Sequence, residues 1–306
     1  MLRTTLPFVF ALSLGFVACE ASPPAAEAPA TAEVPSGLSP GEHSFTTADG
    51  STIPYEVTGT GDATVVLVHC WMCDRTYWSE QVPVLAERYR TITLDLPGHG
   101  EASATRQAWS VAGFGDDVAA LLRELDLQNV VLVGHSMGGP VSLRAAGLSP
   151  GRVRGIVAVD TLHDAEVDMR GQLEQFLPQF EADYAGSCAS FMDSMFPEEG
   201  VEEIQATVTA KGCAAERGDI GVALMKDFGN IDLETWFAEA EVPIRAVNAA
   251  TNPTAVETNR KYSDFDVTVM EGVGHFPQMT RPEQFNPLLL AAIEQVLVRE
   301  PAAPAA

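Results

Sequence analysis

Gly134-His135-Ser136-Met137-Gly138 fits the pattern G-x-S-x-G, which makes the Ser136 hydroxyl a candidate nucleophile. A strand that turns sharply into a helix forces its corner residue into strained backbone geometry. Glycines two before and two after the corner are needed because a Cβ there would clash across so tight a turn. The corner side chain then stands clear of the sheet, at the positive end of the helix. The pattern alone is weak, since an ordinary serine in a glycine-rich turn also fits it. The flanks narrow the choice. Val130-Val131-Leu132-Val133 reads as a strand buried on both faces. Val141, Leu143, Ala145 and Ala146 are compatible with a helix packed on that sheet.

The elements around this turn alternate. His43 to Thr47 and Ile53 to Thr58 read as two antiparallel strands joined by Ala48-Asp49-Gly50-Ser51. Thr64 to Val68 is a buried strand running into His69-Cys70-Trp71, and Tyr77 to Glu87 is a helix. Tyr89 to Leu94 is a strand ending in the turn-rich Asp95-Leu96-Pro97-Gly98-His99-Gly100. Asp116 to Leu127 is an amphipathic helix with Val118, Leu121, Leu122 and Leu125 on one face. Val153 to Val159, Val242 to Val247 and Val267 to Met270 are further strands. Thr280-Arg281-Pro282-Glu283 fits a capping box opening a helix to about Val298. This alternation predicts a mostly parallel α/β sheet with helices on both faces. Between Asp160 and Val242 it stops. Residues 161–241 carry helical patterns rich in aromatics and methionine, among them Phe176, Phe180, Tyr184, Phe191, Met192, Met195 and Phe196. They read as a cap inserted above the carboxyl ends of the strands. Most of these side chains pack the cap itself, and a few line an apolar pocket.

The 306 residues suffice for one large domain with an insertion. Lys and Arg number 18 against 42 Asp and Glu, a net charge of −24. That balance argues against nucleic acid and anionic membrane surfaces as partners. At the N-terminus, Arg3 precedes the apolar run Leu6 to Val17, too short to span a bilayer comfortably. The run ends in Val17-Ala18-Cys19, which resembles the lipobox of bacterial lipoproteins, with Phe16 where leucine is usual. The resemblance implies a signal over residues 1–18 and lipidation of Cys19; a secreted soluble product is the alternative. Residues 19–42 read as a disordered tether and 300–306 as a disordered tail, leaving a core of 43–160 and 242–299. For an exported chain an even count of the remaining cysteines suggests bridges. Cys188 and Cys213 both lie in the cap and could close it. Cys70 and Cys73 are free or bridged locally.

VVLVHCW, TLDLPGHG, VVLVGHSMGG and GVGHFPQMTRPEQF together resemble the α/β-hydrolase superfamily, from about His43 to Val298. The resemblance implies that Ser136 is the nucleophile. An alcohol needs a base in hydrogen-bond reach, and the chain order of this fold assigns it to His275 rather than His43, His69, His99, His135 or His163. Oxyanion donors would be the N–H groups of Met137 and, by resemblance to an H-G-x pattern, Trp71. Cys70 stands where that pattern has glycine. The usual acid position, the loop after Val242–Val247, reads Asn248 to Pro253 and has no carboxylate. Asn252 there cannot carry the charge. Asp160, at the end of the strand beside the nucleophile strand, is the expected acid, with Asp164 the alternative.

The expected activity is hydrolysis of a carboxylic ester or related acyl bond through an acyl-enzyme, on a small and apolar substrate. No cofactor is implied, and no metal-ligand cluster or phosphate-cradling loop occurs in the sequence. The alternatives are a cofactor-free perhydrolase or haloperoxidase-like enzyme, and a tethered ligand-binding protein on a hydrolase scaffold. Membrane contact is expected only through lipid at Cys19.

Overall fold

A computed structural model describes residues 38–298. The expected signal over residues 1–18, Cys19 with most of the expected tether, and the tail at 300–306 lie outside the described residues. Eight strands form one sheet: β1 (Gly41–Thr46), β2 (Thr52–Thr58), β3 (Thr64–Val68), β4 (Arg90–Leu94), β5 (Val130–His135), β6 (Val153–Val159), β7 (Ile244–Ala249) and β8 (Phe265–Met270). Their order is β1-β2-β4-β3-β5-β6-β7-β8, with β2 antiparallel to both neighbours and every pairing from β4 to β8 parallel.

Alternation along β3 and β5 builds the two cores. Val65, Leu67, Val131 and Val133 face α1 (Val82–Ala86) and the C-terminal helix, where Leu85, Phe285, Leu289 and Ile293 are buried. Val66, Val68, Val130 and Leu132 face the opposite layer, with α2 (Val111–Glu124) and α3 (Gly138–Gly147). Between β6 and β7 the chain makes six helices: α4 (Met169–Leu173), α5 (Leu177–Ala182), α6 (Tyr184–Asp193), α7 (Glu202–Gly212), α8 (Gly218–Phe228) and α9 (Leu233–Ala240). Three helices follow: α10 (Val256–Asn259), α11 (Pro277–Thr280) and α12 (Pro282–Leu297). Among the described residues no helix is long and apolar enough to cross a membrane.

Several boundaries differ from the sequence expectation. β1 starts at Gly41, inside the stretch expected as tether, because Gly41 and Glu42 pair with Val57 and Glu56. The helix expected at Tyr77 to Glu87 is a 3-10 turn (Arg75–Trp78) and then α1. Pro83 lacks an N–H and fits only a first turn, so the helix restarts there. α2 begins five residues before the expected Asp116. Ser110 caps it by accepting from the Gly113 N–H at 3.0 Å, and Gly113 and Gly115 in its first turns hide it from propensity. The capping box at Thr280 does not form. Thr280 closes α11 instead, its hydroxyl donating to Phe276 O at 3.2 Å, and Arg281 takes the cap position of α12 without a side-chain bond.

A disulfide joins Cys188 in α6 to Cys213 at the end of α7, 25 residues apart. Closing a loop of that length restricts the unfolded chain by about 3 kcal/mol. Cys188→Ser/Cys213→Ser should lower the unfolding free energy by that order in a urea titration. An unchanged midpoint would show that the bridge adds nothing beyond cap packing.

Candidate active site

Ser136 sits between β5 and α3 with φ +52°, a left-handed conformation that costs a non-glycine residue on the order of 1–3 kcal/mol. The glycines make the turn possible. A Cβ on Gly134 would come within 2.1 Å of Gly138 O, and one on Gly138 within 2.3 Å of Val68 O. The turn is fastened to the adjoining strand end: the Ser136 N–H donates to Val159 O at 3.1 Å, and the Thr161 hydroxyl donates to Ser136 O at 2.8 Å.

Those bonds bring Asp160 beside Ser136. Asp160 ends β6 in a left-handed conformation of its own, φ +42°. Its N–H donates to Val247 O, and its Oδ1 accepts from the Ala249 N–H at 2.8 Å. Its Oδ2 accepts from His275 Nδ1–H at 2.5 Å. Burial pushes the Asp160 carboxyl up. The hydrogen bond and charge of His275, the nearby His163 and the Ala249 N–H outweigh that and hold it below the usual carboxylate range. The carboxylate therefore accepts, Nδ1 of His275 carries the proton, and Nε2 is left free as a base.

His275 lies in the loop after β8, and its backbone is held at both ends. Its N–H donates to Met195 O at 2.9 Å. Its carbonyl accepts from His135 Nε2 at 2.7 Å, while Gln278 Nε2 approaches His135 Nδ1 at 3.2 Å. His135 is thus neutral with its proton on Nε2. Burial, then the neighbouring His275, lowers its pKa to about 3. Since His135 precedes Ser136, this bond ties the His275 loop to the serine turn. The Ser136 hydroxyl has no hydrogen bond of its own to His275 among the described residues, and in ligand-free sites such bonds often tighten only with substrate.

Met137 and Trp71 face the same end of the sheet, and neither backbone N–H meets a backbone acceptor among the described residues. Trp71 itself is buried under the cap. Its indole N–H donates to Gly221 O at 3.1 Å, and Phe180, Tyr184 and Phe191 meet its ring edge-on at 6.0–6.3 Å. Phe196 stacks on Phe276.

Asn252 is exposed, and its side chain makes no hydrogen bond to Asp160 or His275 among the described residues. Asp164 orders its own turn by accepting from the Glu166 N–H at 3.0 Å. Asp95 also serves a turn, accepting from Arg75 and from the Glu101 N–H. Sequence reasoning passed over three supports. His163 Nε2 stands 3.7 Å from Asp160 Oδ1. Asn248, fully buried, accepts from the Thr161 N–H and donates to Thr161 O and Thr254 Oγ1. Gln278 is the third. The only signal for Asn248 was a polar residue inside an apolar strand. Among the described residues no group of His, Cys, Asp and Glu comes together that could hold a metal ion. An open cleft of about 540 Å³ lies in the cap between α5 and α6, against Phe176, Phe180 and Phe191, and none of its lining belongs to the Ser136–Asp160–His275 cluster. Hydrogen bonding and strain, rather than volume, single out that cluster.

The family described as alpha/beta hydrolase fold matches residues 63–208. A thermophilic esterase from Thermogutta terrifontis superposes with a TM-score of 0.70 at 22% identity, covering 84% of this chain and 99% of the esterase. The chain has the α/β-hydrolase fold. A bromoperoxidase from Bacillus anthracis shares this fold, with a TM-score of 0.71 and 24% identity over 83% of this chain and 99% of its own. In sequence, the chain is 30% identical over 258 residues to the dihydrolipoyllysine-residue acetyltransferase component of an acetoin cleaving system from Pseudomonas putida. The match covers 79% of this chain and spans 66% of that relative's length.

Buried neutral histidines set an acid limit on this α/β-hydrolase fold. His99 is lowered to about 3 by burial and by His69, as His135 is by burial and His275. Their unfolded pKa is about 6.5. Between these values the unfolded chain binds protons that the folded chain does not, so stability falls as pH drops from about 6.5 toward 3. Each histidine contributes a slope of about 1.4 kcal/mol per pH unit at its steepest. Asp160 adds stability above about pH 4, lost as pH falls through its depressed folded value. Urea titrations should show falling stability from pH 6 to 5, with a shallower slope in His99→Gln. A flat profile would reject the neutral assignment.

Proposed function

We propose that the chain is a serine hydrolase that cleaves a carboxylic ester or related acyl bond through an acyl-enzyme. The observation that carries the reading is the His275 Nδ1–H to Asp160 Oδ2 bond of 2.5 Å, formed beside a left-handed Ser136. His275 Nε2 takes the Ser136 proton as Oγ attacks the carbonyl carbon. The N–H groups of Met137 and Trp71 hold the oxyanion. As the tetrahedral intermediate collapses, His275 returns the proton to the leaving alcohol. Water then gives a proton to Nε2 and attacks the acyl carbon, and as the second intermediate collapses His275 returns that proton to Ser136 Oγ, freeing the serine and the acid. Asp160 stays ionised throughout, keeping the ring in the productive tautomer.

The aromatic cap favours a small, apolar acyl substrate. The likeness to a bromoperoxidase keeps open a cofactor-free perhydrolase or haloperoxidase-like activity on the same residues. A tethered binding protein is the reading from another class, and a fluorophosphonate probe separates it, because a serine without an activating base does not label. We also propose export with lipid at Cys19, on the strength of the apolar run ending in Val17-Ala18-Cys19. Intact mass of the native protein should show an acylated chain starting at Cys19, and an unmodified chain starting elsewhere rejects the anchor.

On a panel of p-nitrophenyl esters, Ser136→Ala should fall below about a hundredth of wild type, with its fold intact. Asp160→Asn should lower kcat by about 10⁴-fold with little change in KM, whereas Asp164→Asn should stay near wild type. Near-normal turnover by Asp160→Asn would move the acid elsewhere.

A further inference from the structure

The loop leaving β3 reads His69-Cys70-Trp71-Met72-Cys73, and a disulfide joins its two cysteines across a Cα separation of 5.2 Å. Trp71 lies inside that covalent ring. Its N–H belongs to the same peptide unit as the Cys70 carbonyl, and in a trans peptide the two point in opposite directions. Whatever fixes the Cys70 carbonyl therefore aims the Trp71 N–H. His69 Nδ1–H donates to Cys70 O at 2.8 Å, and His69 is itself held by the Leu96 N–H on Nε2 at 3.0 Å. The Cys73 N–H also approaches Cys70 O, at a long 3.3 Å. Between them Met72 sits at φ +56°, a conformation that unbranched chains adopt rarely and glycine adopts freely. Apart from the disulfide, the Met72 side of the turn is closed by that one long backbone bond, while His69 holds the Cys70 carbonyl from the other side. Beyond it the chain is anchored again, with Asp74 accepting from the Thr76 N–H at 2.8 Å and from Lys211 at 3.3 Å.

We propose that the Cys70–Cys73 disulfide is a positioning element of the oxyanion hole, keeping the Met72 turn closed and the Trp71 N–H aimed, so that turnover depends on the redox state of this bridge. The proposal rests on the serine-hydrolase reading. Opening the bridge with a dithiol transfers two electrons and two protons to Cys70 and Cys73 and leaves the reagent as its own disulfide. The Met72 turn then relaxes, the His69 bond is left as the single restraint on Cys70 O, and the Trp71 peptide swings about it away from the position the oxyanion needs. One such donor is worth about 10²–10³ in kcat.

The test uses the full chain on the p-nitrophenyl ester panel. Cys70→Ala/Cys73→Ala should lose about 10²–10³ in kcat, with KM within about threefold and Ser136 still in place. Adding Met72→Gly to that variant should restore most of kcat, because glycine takes the left-handed conformation without the bridge. A merely structural bridge would instead lower the melting temperature and leave kcat alone, and that result overturns the proposal. Should the alanine pair fail to fold, Cys188→Ser/Cys213→Ser leaves Cys70–Cys73 as the only remaining bridge of the two. Its activity should then fall on titration with dithiothreitol and return on reoxidation. Activity that persists after alkylation proves Cys70 and Cys73 reduced also overturns it. A wild-type chain that neither turns over the panel nor labels at Ser136 overturns the hydrolase reading and this inference together, whereas normal wild-type turnover with an unchanged kcat in the bridge variants removes this inference alone.

Discussion

An ionised carboxylate buried beside the end of β6 must be compensated, and much of the surrounding structure meets that demand. Asp160 keeps its charge because Ala249 N–H and His275 Nδ1–H fill its two oxygens and His163 stands near. Removing one partner of a buried charge typically costs 3–5 kcal/mol, because the other is left uncompensated. The Asp160 loop therefore cannot be remodelled independently of β7 or of the His275 loop. Asn248 extends the same constraint, bonding both backbone groups of Thr161 and so pinning the loop after β6 to the strand beside it. Thr161 in turn holds Ser136 O. Three loops from three strand ends become one hydrogen-bonded unit.

The elements that bury apolar residues on both faces were legible in the chain. Val130 to Val133 reads as a strand because nothing polar interrupts it, and the strand is there. The serine turn was legible for a steric reason, since only glycine fits at Gly134 and Gly138. The start of α2 was hidden by Gly113 and Gly115, whose propensity opposes a helix that tertiary packing imposes. Thr280 followed a capping pattern, yet it ends α11, where its hydroxyl donates back to Phe276 O, and the cap position of α12 falls to Arg281.

The choice between Asp160 and Asp164 shows where one-dimensional reading ends. The two carboxylates lie four residues apart and have the same chemistry. What separates them is the pairing of β6 with β7, which places Asp160 N–H on Val247 O and turns its side chain to His275. The supports Asn248 and Gln278 carry no local pattern, because each acts on a partner distant in sequence, and His163, only three residues from Asp160, faces it because of how the loop after β6 folds. The cap is equally silent about substrate. Its aromatics pack on Trp71 and Phe276, and the same ring contacts serve a stable lid or a pocket wall.

One backbone bond couples the cap to the loop that carries the base. The His275 N–H donates to Met195 O, just past the end of α6, and Gly274 lies so close beneath that a Cβ there would meet the same oxygen at 2.2 Å. The cap and the loop carrying the base thus share a seam with no slack. Any movement of the cap at this point would carry the imidazole loop with it and pull His275 Nδ1 away from Asp160. The position of that edge of the cap and the register of His275 are therefore set together, through one backbone bond.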